Sequence, residues 1–117
     1  MVAFLLAQKL TNFGSVDNYL NFEFMHITVE KILIDRSIKI EMYPSTEDMC
    51  KEYNILPGYL IVDVFTKNSR QLIPVHPKIV EHCLDVTIES LLIDEEYELC
   101  SVLRDLKTEY ILLKNDY

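Results

Sequence analysis

Residues 77–113 read PKIVEHCLDVTIESLLIDEEYELCSVLRDLKTEYILL. In the second half of this stretch Leu99, Val102, Leu103, Leu106, Tyr110 and Leu113 recur at intervals of three and four residues. That spacing puts all six on one face of a 3.6-residue helix and predicts a helix over 97–113. In the first half Val80, Leu84, Thr87, Ile88 and Leu91 share a face in the same way. Pro77 suits the first helical position, where its missing N–H would have had no partner. Asp94-Glu95-Glu96 breaks the pattern between the two runs. A competing parse exists, because Leu84, Val86 and Ile88 also alternate and Val86-Thr87-Ile88 is β-branched. Read as strand, 77–93 would make the chain a small β-barrel. Read as two helices, it makes an α+β fold, a small mainly antiparallel sheet with the C-terminal helices packed on one face, and this is the reading the pattern favours.

The sheet is read outward from there. Tyr59 to Thr66 (YLIVDVFT) is apolar on both faces and rich in β-branched and aromatic residues, as a central strand should be. Lys67 to Arg70 turns it back into Gln71–Val75, which Pro74 assigns to an edge, because a proline cannot donate to the ladder. Ile38, Ile40 and Met42 alternate with Lys39 and Glu41 and predict a half-buried strand, preceded by a turn at Asp35-Arg36-Ser37. Residues 20–34 look extended but change phase twice, from Phe22 and Phe24 to Ile27 and Val29 and then to Ile32 and Ile34, which predicts bulges or a strand buried on both faces. Pro44 to Asp48 opens a short helix, with Ser45 expected to cap it by accepting from the Asp48 amide, and the helix should stop near Asn54, before the Pro57-Gly58 turn. Ala3, Leu6, Ala7 and Leu10 make a helical face ahead of a stop at Thr11–Gly14. The expected core contains Ile40, Val62, Val64, Leu84, Leu103 and Leu106.

Composition bounds the function. A chain of 117 residues, half apolar and 26% charged, is a single domain (1–117) with enough buried surface for its own core. It is neither a disordered tail nor a coiled-coil rod. The net charge of −8, with the larger excess in the second half, repels phosphate. Direct nucleic-acid binding and anionic membrane are therefore disfavoured, and a protein partner with a basic surface is favoured. Three cysteines without a CxxC motif read as reduced thiols. The apolar run Val2–Ala7 is too short for a signal peptide or a membrane span, so the expected location is the cytoplasm. The scarcity of glycine fits an AT-rich coding sequence of phage or viral type, among others.

Chemistry-bearing motifs are few. With Gly14 and Gly58 as the two glycines, no glycine-rich phosphate cradle can form, and no P-loop, dinucleotide fingerprint, HExxH or GxSxG occurs. His82 and Cys83 are adjacent and diverge on a helix or a strand, so they cannot act as base and nucleophile. His76, His82, Cys83 and Cys100 lack metal-ligand spacing. No catalytic residue, metal or cofactor is assigned. Asp63 interrupts an apolar strand. It is read as partly solvated or bonded to a backbone amide, in preference to a proton-transfer carboxyl.

The distinctive feature is the stretch 81–98, with Glu81, Asp85, Glu89, Asp94, Glu95, Glu96 and Glu98 and no Lys or Arg. Glu81, Asp85 and Glu89 form one stripe on a helix, and like charges so spaced repel. One reading is an acidic docking surface for a basic partner; the other is a solvated face on an acidic protein. The expected function is that of a non-catalytic intracellular binding protein, an inhibitor, immunity-like protein or viral antagonist. The alternative is a small β-barrel accessory subunit of a nucleic-acid-handling complex, with a stacking face from Phe22, Phe24, Tyr43 or Tyr59.

Overall fold

The computed structural model describes residues 25–115. Strands Ile27–Ile32 (β1), Ser37–Pro44 (β2), Leu60–Thr66 (β3) and Ser69–Val75 (β4) pair antiparallel in the order β1-β2-β3-β4. Helix Glu47–Tyr53 (α1) fills the β2–β3 connection. A 3-10 turn, Pro77–Ile79, runs into helix Val80–Ile93 (α2), and helix Tyr97–Asn115 (α3) follows. The sheet is open, with β1 and β4 at opposite edges, so the fold is α+β and the β-barrel alternative does not form.

The register explains which side faces the helices. Ile40 lies opposite Val29 on β1 and Val64 on β3, and Val62 lies opposite Met42 on β2 and Ile73 on β4. Side chains alternate along a strand, so this register gathers Ile27, Ile38, Ile40, Met42, Val62, Val64, Ile73 and Val75 on one face, while Ile61, Phe65 and Leu72 lie on the other. α3 lies over β1 and β2 and packs along α2. The two helices bring Leu84, Leu91, Val102, Leu103 and Leu106 into the same cluster as Ile40, Met42 and Val64. All six expected core residues are buried. Residues 77–93 become a helix because the 3.6-residue face, Val80, Cys83, Leu84, Thr87, Ile88 and Leu91, is the one that reaches this core. The Thr87 hydroxyl, on the apolar face, is satisfied by donating to the Cys83 carbonyl at 2.7 Å. The Tyr110 hydroxyl donates to the Pro77 carbonyl at 3.1 Å and ties the far part of α3 to the start of α2.

Two local expectations change. The helix expected at 3–10, and Phe22 and Phe24, lie outside the described residues. The second change of phase, at Ile32 and Ile34, is not a bulge: β1 ends at Ile32, and the Leu33–Arg36 turn follows, closed by the Leu33 N–H donating to the Arg36 carbonyl at 2.7 Å. Thr46, not Ser45, caps α1 and accepts from the Met49 amide at 3.2 Å. Ser45 instead donates to the Tyr59 carbonyl at 2.7 Å, and its own amide bonds the same oxygen, so it fastens β2 to β3. At the other end of α1, Asn54 takes the left-handed conformation at φ 56°, which a short polar side chain tolerates, and Gly58 follows at φ 89°.

Candidate functional site

The acidic stretch is divided by the fold into two parts. α2 and α3 run antiparallel across a three-residue connection, so the Glu81–Asp85 stripe on α2 faces α3. Lys114 Nζ lies 3.2 Å from Glu81 Oε2, and Lys107 Nζ pairs with Asp85 Oδ1. Glu98 receives Arg36 Nη2, from the β1–β2 turn, at 2.6 Å. The like-charge repulsion along the stripe is thus offset by cations from elsewhere in the chain. Each such exposed pair contributes about 0.2–1 kcal/mol. The remaining acids, Glu89, Asp94, Glu95 and Glu96, are exposed, and among the described residues none has an ion-pair partner.

The α2–α3 corner presents three of these four acids. The Glu95 amide donates to the Leu92 carbonyl at 3.1 Å and the Glu96 amide to the Leu91 carbonyl at 2.9 Å. This is a Schellman termination, and it requires a left-handed residue, here Glu95 at φ 60°. Glycine adopts that conformation without steric cost, whereas glutamate holds it at some strain. The backbone amides of the corner are satisfied internally, which leaves the three carboxylates facing solvent.

A second polar group sits on the sheet face opposite the helices. Asp63, only 1% exposed, accepts from Arg70 Nε at 3.1 Å, from Arg70 Nη2 at 2.9 Å and from the Tyr43 hydroxyl at 2.9 Å. The strand register makes this possible, because Asp63 lies opposite Glu41 on β2 and Leu72 on β4, with Tyr43 and Arg70 diagonal to it. The Arg70 guanidinium also lies 4.8 Å from the Phe65 ring centre, and Lys39 lies 5.5 Å from it. Asp63 is therefore neither partly solvated nor bonded to a backbone amide. It is buried and ion-paired. Burial, with the hydrogen bond to Asp63 second, pushes the Tyr43 hydroxyl up to about 12. The hydrogen bond and charge of Asp63 push the Arg70 guanidinium above its already high range. A carboxylate whose oxygens are engaged by three donors holds the sheet together and is poorly placed to exchange protons with a substrate.

The remaining candidates take structural positions. His76 caps the 3-10 turn, its Nδ1 accepting from the Lys78 amide at 3.1 Å, and burial lowers its affinity for a proton. His82 is exposed while its neighbour Cys83 is buried, so the two point apart. Burial pushes the Cys83 thiol up to about 11 and the Cys100 thiol also upward, which disfavours thiolate at neutral pH. All three cysteines are free. Among the described residues no three His, Cys, Asp or Glu side chains are grouped to hold a metal ion, and no helix is long and apolar enough to cross a membrane. Of the aromatic residues considered for stacking, Tyr59 is buried and Tyr43 is held by Asp63.

No family model, curated protein or solved structure matches this chain. Exposed apolar side chains stand on the same loops as the acidic corner or on the loop braced to it. They are Ile93 at the end of α2, Tyr97 at the start of α3 and, around the β1–β2 turn, Ile32 and Ile34, which the sequence pattern read as part of an extended segment rather than as surface. The signal was present in Ile32-Leu33-Ile34, an apolar triplet running directly into Asp35-Arg36, where turn residues are ordinarily polar.

Proposed function

We propose that this chain is a non-catalytic binding protein that docks acidic surface from its C-terminal half on a basic surface of a partner protein, as an inhibitor, an immunity-like protein or a viral antagonist does. The observation that carries this reading is the unequal pairing within the stretch 81–98. Glu81, Asp85 and Glu98 are balanced by Lys114, Lys107 and Arg36, whereas Glu89, Asp94, Glu95 and Glu96, at and beside one corner, have no ion-pair partner among the described residues. Exposed charge of one sign accelerates encounter with an opposite surface and suppresses wrong partners. The docking surface is accordingly narrower than the whole stretch, with Glu81, Asp85 and Glu98 serving mainly to join α2, α3 and the β1–β2 turn.

The test is affinity purification of the full chain from its native host, followed by kinetics with the recovered partner. Reversing Asp94 and Glu96 to Lys should lower the association rate about tenfold at low salt, and the wild-type rate should fall as salt screens charges beyond about 8 Å. Reversing Asp85 should instead lower stability slightly, because it opposes Lys107. A partner bound with unchanged rate and affinity by the Asp94→Lys, Glu96→Lys variant would remove the basis of this reading.

A further inference from the structure

Five of the seven large apolar side chains exposed among the described residues gather at one end of the molecule: Ile32, Ile34, Leu92, Ile93 and Tyr97. Ile34 is fully exposed, Ile93 is 83% exposed and Ile32 is 78% exposed. Singly exposed isoleucines are ordinary on a soluble surface, but five apolar side chains at one end are not. The Arg36–Glu98 pair at 2.6 Å fastens the β1–β2 turn to the start of α3, so the loops that carry these residues are braced against each other. Between them and the β3–β4 turn opens a cleft of about 840 Å³, with Ile38, Leu91 and Leu99 among its lining and Asp35, Asp94 and Glu96 supplying carboxylates. That volume admits a short stretch of a partner chain, with an apolar side chain over the Ile38, Leu91 and Leu99 floor, and the carboxylates among the polar residues of the lining set the sign of what surrounds it.

We infer that this loop end is the docking surface and that its occupant is a lysine- or arginine-rich protein segment that inserts a large apolar side chain into the cleft. The inference rests on the acidic-docking reading above and adds the apolar anchor and its place. The carboxylates argue against the other occupants. A second copy of this chain would bring Asp35, Asp94, Glu95 and Glu96 against the same four acids, on a protein of net charge −8. Nucleic acid and anionic lipid would meet like charge as well. Lys67 at the β3–β4 turn is the cation in the cleft lining besides the paired Arg36, and it leaves the end acidic. A basic segment gains attraction at the carboxylates and sheds apolar surface at the isoleucines. This combination of a desolvated anchor within a charged rim is the usual anatomy of a protein interface.

The experiment uses the full chain, labelled with ¹⁵N, and two synthetic peptides of equal length and equal lysine content. In one peptide leucines alternate with the lysines; in the other serines replace the leucines. The leucine peptide should shift the amides of residues 33–36, 66–68 and 91–99. It should bind at least about tenfold more tightly than the serine peptide, since burying one leucine is worth a decade or more in affinity. The Ile34→Ser, Ile93→Ser variant alters two exposed side chains. Both lie outside the cleft lining, in its surroundings, so the variant should keep the dispersed spectrum of the fold, bind the leucine peptide more weakly than the wild type does, and bind the serine peptide unchanged. An unchanged affinity for the leucine peptide would overturn the part assigned to the exposed isoleucines. Equal affinity for the two peptides, with shifts confined to the acidic residues, would overturn the apolar anchor while leaving acidic docking in place. Absence of shifts with either peptide would overturn both.

Discussion

Leu103→Ala tests the packing on which everything else rests. Leu103 has no exposed surface and sits on the face of α3 that lies over the sheet, in the same cluster as Ile40, Met42 and Val64. The substitution removes three buried carbons, worth about 2 kcal/mol of transfer free energy. It also leaves a cavity in a close-packed interior, which raises the total to about 3–4 kcal/mol. Against a stability of roughly 6–17 kcal/mol for a chain of this length, that is a large fraction. It corresponds to a fall in Tm of about 12–16 °C. The assay is urea unfolding followed by circular dichroism, with the midpoint shifting at constant slope. Leu112→Ala is the control. Leu112 is 56% exposed on the same helix, and leucine and alanine have similar helix propensity, so the change should stay within about 0.5 kcal/mol. A loss below about 1 kcal/mol at Leu103, or equal losses at the two positions, would refute the claim that α3 packs through the Leu99–Tyr110 face.

Two further outcomes follow from the buried titratable groups. The Tyr43 hydroxyl is pushed up to about 12 from an ordinary 10.0, so folding favours the neutral phenol; its contribution is complete below pH 10 and is lost as pH rises toward 12. Tyr43→Phe should flatten stability against pH in that window, leaving the decline contributed by the buried Cys83 and Cys100 thiols and the buried Tyr59 hydroxyl. An unaltered curve would count against the burial of the Tyr43 hydroxyl beside Asp63. Under native conditions Cys50, half-buried beside Ser45, should alkylate before Cys83 and Cys100, and denaturation without reductant should expose three thiols; two unlabelled cysteines by mass spectrometry would mean a disulfide.

Much of the fold was legible because it rests on local periodicity. The two-residue period of 38–42, the doubly apolar run 60–66 and the 3.6-residue period of 80–91 and 99–113 each name a face, and a face needs a core. The edge position of β4 was readable from Pro74 for an equally local reason, the missing amide donor. The termination of β1 was not, because Ile32 and Ile34 continue an alternation that only the turn hydrogen bond from Leu33 to Arg36 cuts short. Nor was the state of Asp63. Its partners Tyr43 and Arg70 lie 20 and 7 residues away, and strand register alone brings them to it. The acidic stretch shows the division most plainly. Its grouping was visible as seven acids without a cation, but charge acts through space rather than along the chain. The antiparallel crossing of α2 and α3 brought Lys107 and Lys114 to Asp85 and Glu81, and the β1–β2 turn brought Arg36 to Glu98. Which acids remain unpaired among the described residues, and which exposed isoleucines share that end of the molecule, was decided by that tertiary pairing.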